Sequence, residues 1–284
     1  MPPSAPSVLS VQSRVAYGHV GNAASVFALQ RLGIEAWALD TVAFSNHTGH
    51  GQWRGAAIAA EAIAALFDGI AALGVLPGID AVLSGYLGDS ATGPVLLDIV
   101  ARVRAANPRA LFCCDPVIGD VDTGSYVTDG VAEFFRDRAL ALADIVTPNQ
   151  FELEYLTGSR VAGIGEAAAA AAALRARGPG TVLVTSLDAA PDRVTMLAAG
   201  ADGVWCVETP RLPVVLNGCG DVTAALFLAH LLRGMSLPDA LATTAAAIFA
   251  VIEETARRGR YELALVAAQG ELAAPTRRFA PRRV

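Results

Sequence analysis

The 284-residue chain has no lysine, so all 21 of its basic residues are arginine. That absence excludes chemistry through a lysine Schiff base. It leaves arginine, backbone N–H groups, hydroxyls or a metal ion to hold any anion. Cysteine is scarce: Cys113, Cys114, Cys206 and Cys219 show neither metal-ligand spacing nor the density of a small disulfide framework, and reduced thiols are expected. Long apolar runs are missing too. Although 54% of residues are hydrophobic, the excess is largely alanine, and no run reaches the roughly 18 uninterrupted apolar residues of a membrane span. No basic segment followed by an apolar one opens the chain at Met1-Pro2-Pro3-Ser4-Ala5-Pro6, so a cytoplasmic, membrane-free protein is expected. A net charge of −6 argues against nonspecific binding to nucleic acid. Two nucleotide-binding signatures are lacking as well, the Gly-x-x-x-x-Gly-Lys-Ser/Thr loop and a dinucleotide fingerprint after the first strand.

What the chain does have is alternation. Short apolar segments at 7–11, 35–42, 81–84, 110–115, 144–146 and 181–185 alternate with helical stretches near 22–32, 56–73, 94–105 and 130–138, one opening at Pro148-Asn149, and one at 166–177. Segments 194–197 and 204–207 read as a hairpin, followed by helices at 221–232, 237–254 and 261–272. The pattern predicts one α/β domain over 1–284, three layers with a mainly parallel central sheet covered by helices on both faces. Residues 1–6 and about 274–284 read as loose tails.

Ligands of such sheets sit beyond the carboxyl ends of the strands. That rule gathers the informative loops: 10–13, 46–48, Gly85-Tyr86, 115–120, 147–152, Thr185-Ser186 and 217–221. In Asn217-Gly218-Cys219-Gly220-Asp221 the glycines let backbone N–H groups approach a ligand. The helix that follows points its positive end at the same place. Taken alone, Asp221 is more often a helix cap than a base; convergence with the other loops favours the base. Asp115, Asp120 and Glu152 offer carboxylates to a hard cation such as magnesium. Each also has a structural reading, Asp120 as a turn residue and Glu152 as a first-turn helix acid. The hydroxyls of Ser13 and Thr48 and the ring of His47 suit a neutral polar ring, and Tyr86 offers it a stacking face. Together these groups point to phosphoryl transfer from a nucleotide to the hydroxyl of a small molecule, chemistry in which a protein mainly positions reactants and neutralises charge.

The residues carrying this chemistry also resemble a known family. Ser10-Val11-Gln12-Ser13 through Tyr17-Gly18-His19-Val20-Gly21-Asn22, then Phe44-Ser45-Asn46-His47-Thr48, Gly85-Tyr86-Leu87-Gly88, Asp115-Pro116-Val117-Ile118-Gly119-Asp120, Thr147-Pro148-Asn149-Gln150-Phe151-Glu152 and Gly218-Cys219-Gly220-Asp221 are similar to the pyridoxal kinases of the ribokinase superfamily, over residues 8–270. The resemblance implies a ribokinase-like fold and ATP-dependent phosphorylation of the 5′-hydroxymethyl group of pyridoxal, with pyridoxine and pyridoxamine, in vitamin B6 salvage. It further implies magnesium, an activating monovalent cation and a homodimer. By the same resemblance Ser13, Thr48 and His47 would contact the ring substituents with Tyr86 beside the ring, and Asp221 would take the proton from the attacking hydroxyl. The amides of Gly218, Cys219 and Gly220 would hold the transferring group. Asp115, Asp120, Thr147 and Glu152 would surround metal and triphosphate, and Thr185, Ser186 and Asn217 would lie near the nucleotide phosphates.

The chain departs from the family pattern at several points. Ala43 stands where glutamine is usual and His50 where tyrosine is common, which alters the ring pocket. Cys219 fills the variable place of the anion hole, and the strand ending at Thr185 lacks a phosphate-binding lysine that some relatives have, with Arg211 as a candidate replacement. Competing readings are a hydroxymethylpyrimidine kinase, whose loop typically ends in cysteine where this chain has Asp221, a non-catalytic B6-binding protein, and a sugar kinase.

Overall fold

Val8, Leu9, Val11 and Val15 supply the apolar side chains of β1 (Ser7–Val15), and the strand runs at the centre of a computed structural model that describes residues 5–284. Val11 pairs with Leu39 of β2 (Glu35–Phe44) on one side and with Ser84 of β4 (Ala81–Ser84) on the other, both in parallel. Parallel pairing continues through β5 (Leu111–Cys114) and β8 (Ile145–Val146) to β9 (Thr181–Ala190). The antiparallel strands β10 (Arg193–Gly200) and β11 (Gly203–Pro210) extend that side, meeting at Gly200 and Gly203 as the predicted hairpin. The expectation of a mainly parallel sheet therefore holds for every pairing from β2 to β9. A small separate hairpin, β6 (Gly119–Asp120) and β7 (Gly124–Ser125), stands over the strand ends.

The strands bury both faces because each side carries its own helices. One core holds Leu9, Val11, Val82 and Phe112 against Ile63 and Phe67 of α2 (Ala60–Ala72) and Leu96 and Ile99 of α3 (Thr92–Ala106). The same layer contains α4 (Val131–Phe134), α5 (Gln150–Thr157) and α6 (Ile164–Arg175). The other core sets Val8, Leu83 and Cys113 against α1 (Asn22–Arg31), α7 (Cys219–Leu232) and α8 (Leu237–Arg257). Neighbouring residues such as Val8 and Leu9 face opposite cores, as strand geometry demands. In α7 every residue from Val222 to His230 is buried, so the helix that starts at the glycine loop is fixed on all sides.

Four sequence expectations need correction. Strand β1 runs on through Gln12 and Ser13 to Val15, where a loop was expected; a register shift between Gln12 and Arg14 lets it follow β2 to its end. The helix expected from residue 56 starts at Ala60, because Gly55–Ala57 forms the antiparallel edge strand β3 on Val42 to Phe44. Residues 261–268 are not helical, and only Gln269–Ala273 (α9) is. Glu262, Leu263, Ala264 and Leu265 are buried in succession, whereas an amphipathic helix turns such neighbours towards different faces. The tail is not loose either. Phe279 packs edge-on against Phe249 with ring centroids 5.2 Å apart, Arg277 reaches Glu253 at 2.6 Å, and β12 (Arg282–Arg283) pairs with Cys206 and Trp205. The physical reason is the open edge of β11, whose unpaired N–H and C=O groups the tail satisfies. Residues 1–4 of the other expected tail lie outside the described residues.

Removing residues 279–284 is expected to lower the melting temperature by about 4 °C, the shift for a loss of 1–2 kcal/mol in a chain of this size, and to promote self-association through the bared edge. Calorimetry and light scattering check this; an unchanged midpoint with a monodisperse sample would show that the tail is dispensable.

Candidate active site

The glycine loop and α7 meet at a single strained residue. Gly218 precedes the helix with φ 88°, a region that favours glycine. A side chain there would run into the His19 carbonyl oxygen, so the loop that follows β1 packs directly on the loop that opens α7. Gly220, two residues on, has open space where a side chain would go. The first N–H groups of a helix lack partners within it, the arrangement that suits an anion. Asp221 sits in the first turn, and its backbone carbonyl accepts a 3.0 Å bond from Ser25 Oγ on α1. Burial raises its carboxyl pKa to about 6, and a hydrogen bond from the backbone of Gly21 pulls the other way. The Cys219 thiol is pushed up to about 12 by burial and then by Asp221. It therefore stays protonated and is no nucleophile.

A second group of carboxylates lies at the ends of β5 and β8. Asp115 is buried and accepts a 2.8 Å bond from Thr147 Oγ1, yet its pKa rises to about 7, first through desolvation and then through the charge of Asp221. Glu152 completes a capping box at the start of α5, with Asn149 Oδ1 accepting from Glu152 N and Glu152 Oε2 accepting from Asn149 N. Its other oxygen accepts from Ile118 N at 2.9 Å. Burial and the neighbouring Asp115 still push Glu152 well up, against the backbone N–H groups of Ile118, Asn149 and Gly119. Asp115, Glu152 and Asp221 have no ion-pair partner among the described residues, so their ionised forms lack a balancing cationic side chain. A single hard cation with its waters fits that deficit.

The expected three-carboxylate metal set does not form. Asp120 turns its Oδ1 to the backbone N–H groups of Asp122 and Thr123, capping the β6–β7 turn. Among the described residues no three His, Cys, Asp or Glu side chains converge to hold a metal ion. Thr185 is anchored by its N–H to the Pro148 carbonyl at 3.0 Å, and Ser186 beside it is exposed. Arg211 is engaged elsewhere, its guanidinium on Asp188 and on the Arg193 carbonyl.

The polar residues expected around the ring lie at and beyond the strand ends. Ser13 is buried at the end of β1, and the buried Gln12 leaves no room for a side chain at Gly85. Tyr86 follows, its carbonyl held by Thr41 Oγ1 at 2.6 Å and its hydroxyl pKa raised by burial. Thr48 begins a short 3-10 turn after β2, Thr48–His50, capped by His47, whose Nδ1 accepts from Gly49 N. Desolvation lowers the pKa of the His47 ring, which favours its neutral form.

Two residues missed by sequence reasoning tie these loops together. Glu262 is only 6% exposed; its Oε1 meets His50 Nε2 at 2.6 Å and its Oε2 accepts from His19 N at 3.1 Å. The Tyr261 hydroxyl accepts from Asn217 Nδ2 at 3.2 Å, and its ring stands edge-on to His50. The only sequence signal was a lone acid within an apolar run, the pattern that was read as a helix. Tyr126, just past β7, was also missed; its hydroxyl is pushed up by desolvation and then by the charges of Glu152, Asp115, Asp120 and Asp221.

Comparison with known proteins agrees with this geometry. Residues 57–265 match the family described as phosphomethylpyrimidine kinase. The pyridoxal kinase PdxY of Rubrobacter xylanophilus is 57% identical over 282 residues, covering 98% of this chain and 97% of that one. The pyridoxal kinase PdxY of Leifsonia xyli is 49% identical over 281 residues, 98% and 99% of the two chains. Among solved structures, the pyridoxal kinase of Leishmania donovani in complex with ADP and pyridoxamine superposes with a TM-score of 0.92 at 28% identity, covering 98% of this chain and 99% of that one.

Gly218→Ala is expected to destabilise the fold by about 2 kcal/mol or more, since it adds backbone strain to the clash with His19. Gly220→Ala, which meets open space inside a helix, is expected to be neutral or stabilising by up to about 1 kcal/mol. Denaturant midpoints at unchanged slope measure both, and equal midpoints for the two variants would contradict the packing argument.

Proposed function

The chain belongs to the pyridoxal kinase family, and from that premise we propose that it transfers the γ-phosphoryl group of ATP to the 5′-hydroxymethyl group of pyridoxal, and of pyridoxine and pyridoxamine. The observation that carries the reading is Asp221, a carboxylate with a pKa raised to about 6 beside a glycine-gated helix N-terminus. Near neutral pH such a group is mostly ionised yet basic enough to accept a proton, which is what a general base needs. In this mechanism Asp221 takes the proton of the attacking hydroxyl. The N–H groups of Gly218, Cys219 and Gly220 receive the negative charge of the transferring group, aided by the dipole of α7. Ser13, Thr48 and His47 hold the ring substituents, with Tyr86 along the ring.

On the nucleotide side, Thr147, Thr185, Ser186 and Asn217 border the triphosphate. Asp115 and Glu152 are the carboxylates that would hold magnesium, with water completing its shell. When bound, the ion would supply charge neutralisation between the phosphates. An activating monovalent cation and a homodimer belong to the same proposal. Dependence on ATP accords with work in the cytoplasm. The family description matched over residues 57–265 names phosphomethylpyrimidine kinase, but Asp221, where such a loop typically ends in cysteine, favours the B6 vitamers.

Purified protein with Mg-ATP and a panel of pyridoxal, pyridoxine, pyridoxamine and hydroxymethylpyrimidine is expected to phosphorylate the B6 vitamers in preference. Binding of pyridoxal without phosphorylated product would sink the kinase reading. Asp221→Ala is expected to lose about 10²-fold or more in kcat while the fold survives.

The pH profile follows from the sign of the shifts. A base works when deprotonated, so kcat/KM should rise with pH through an acid limb between about 6 and 7 and level off above it. Asp115 and Asp221 interact, so the limb belongs to the pair. A flat profile from pH 5 to 8 would contradict the assignment.

A further inference from the structure

The three residues Tyr261-Glu262-Leu263 touch the turn 48–50, the loop 17–20 and the glycine loop at 217–218. Tyr261 bonds to Asn217, Leu263 lies against Gly218, and Glu262 spans the gap between His50 and His19. We propose that Glu262 is a positioning residue for the ring substrate, clasping the turn that carries Thr48 to the loop 17–20 and so setting how tightly the pocket closes on the vitamer. The inference rests on the kinase reading for its substrate, though not for its geometry.

Three observations carry it. First, a carboxylate 6% exposed with no arginine bonded to it is costly to bury unless both oxygens are satisfied. Here each oxygen has one partner, and the two partners come from different loops. Second, loop 17–20 is shaped around this carboxylate: Gly18 has φ 99°, and any side chain there would collide with the Glu262 carboxyl group. Third, little else holds the far end of the turn. The side chains of Ser45 and Asn46 bond only within loop 45–54; at the near end of the turn the Ser45 carbonyl accepts from Tyr17 N at 2.8 Å, while the ring of His50 at the far end is partly exposed, with Tyr17 and Tyr261 standing edge-on to it. The charged and titratable groups facing Glu262 are His19, His47 and His50, with Arg260 nearby. The turn it clasps carries Thr48, assigned above to the ring substrate, so the clasp bears on the vitamer.

The test is a set of variants read by equilibrium titration of pyridoxal without ATP and by steady-state kinetics. Glu262→Ala is expected to raise both the pyridoxal Kd and the vitamer KM about tenfold, the loss of a charge-assisted tether, with kcat and the ATP KM within about twofold of wild type. His50→Ala, on a surface turn, is expected to reproduce most of that loss, and the double variant to add nothing further. Glu262→Gln is expected to recover most of the affinity, because the amide can accept from His19 N and donate to the other tautomer of His50. Unchanged pyridoxal affinity in His50→Ala, additive losses in the double variant, or equal losses for Gln and Ala at position 262 would each overturn the proposal. A wild-type protein that binds pyridoxal but does not phosphorylate it would overturn the kinase reading alone, leaving the titration to decide the clasp. If Glu262→Ala fails to fold, His50→Ala and Glu262→Gln still decide.

Discussion

The contact between Gly218 and the His19 carbonyl is the constraint on which the site depends. It needs a residue without a side chain in the left-handed region, and it joins the loop leaving the central strand to the loop entering the most buried helix. Because α7 is enclosed along its length, its N-terminal N–H groups cannot swing aside when an anion arrives or leaves. Their orientation is fixed by folding rather than at the moment of binding, which is how a fixed set of dipoles becomes effective for a reaction that develops charge. The same rigidity brings Gly21 and Ser25 into contact with Asp221, so the candidate base belongs to both sides of the cleft.

Against this rigid frame stands an electrostatic strain. Burial raises the pKa values of Asp115, Glu152 and Asp221, and the charge of Asp221 adds to the rise at Asp115 and that of Asp115 to the rise at Glu152, in a region with no ion-pairing arginine of its own. A fold selected only for stability would pair such carboxylates or replace them. Their retention is intelligible if a cation and its phosphate ligands complete the charge balance, with net repulsion in the empty site exchanged for attraction in the loaded one. Glu152 shows how one side chain can serve two purposes: it closes the cap of α5 through Asn149, and that cap also holds it in place beside Asp115. The two readings weighed for this residue from the sequence describe one arrangement.

What could be read in the sequence follows from how local each determinant is. The strand–helix alternation, the hairpin at Gly200 and Gly203 and the glycine loop before Asp221 are encoded within a few neighbouring residues, and each appears as expected. Residues whose partners are distant were not legible. Glu262 bonds across 212 and 243 positions of the chain, and nothing beside it announces those partners. Apolar neighbours favoured a helix at 261–272, but burial of four consecutive residues overrode that preference. Asp120 failed for the opposite reason: its own turn supplied donors closer than any metal site, so local chemistry captured a side chain expected to act at a distance. At the edge of the sheet, Arg282 and Arg283 look like solvated charge in sequence, and only the open side of β11 gives their backbone a partner.

The position of Tyr261, Glu262 and Leu263 along the chain has a consequence for synthesis. A protein is made from its N-terminus, and domains begin to fold while the remainder is still being added. Every candidate catalytic and phosphate-binding residue precedes position 222, yet the segment that joins their loops emerges about forty residues later, and the strand that covers the sheet edge comes later still. A ribosome-bound chain could therefore form the central sheet and α7 without the groups that brace the pocket. Ligand binding would mature only once residues 261–263 have joined, so a product terminated before them would carry the residues of the site but not its organised form.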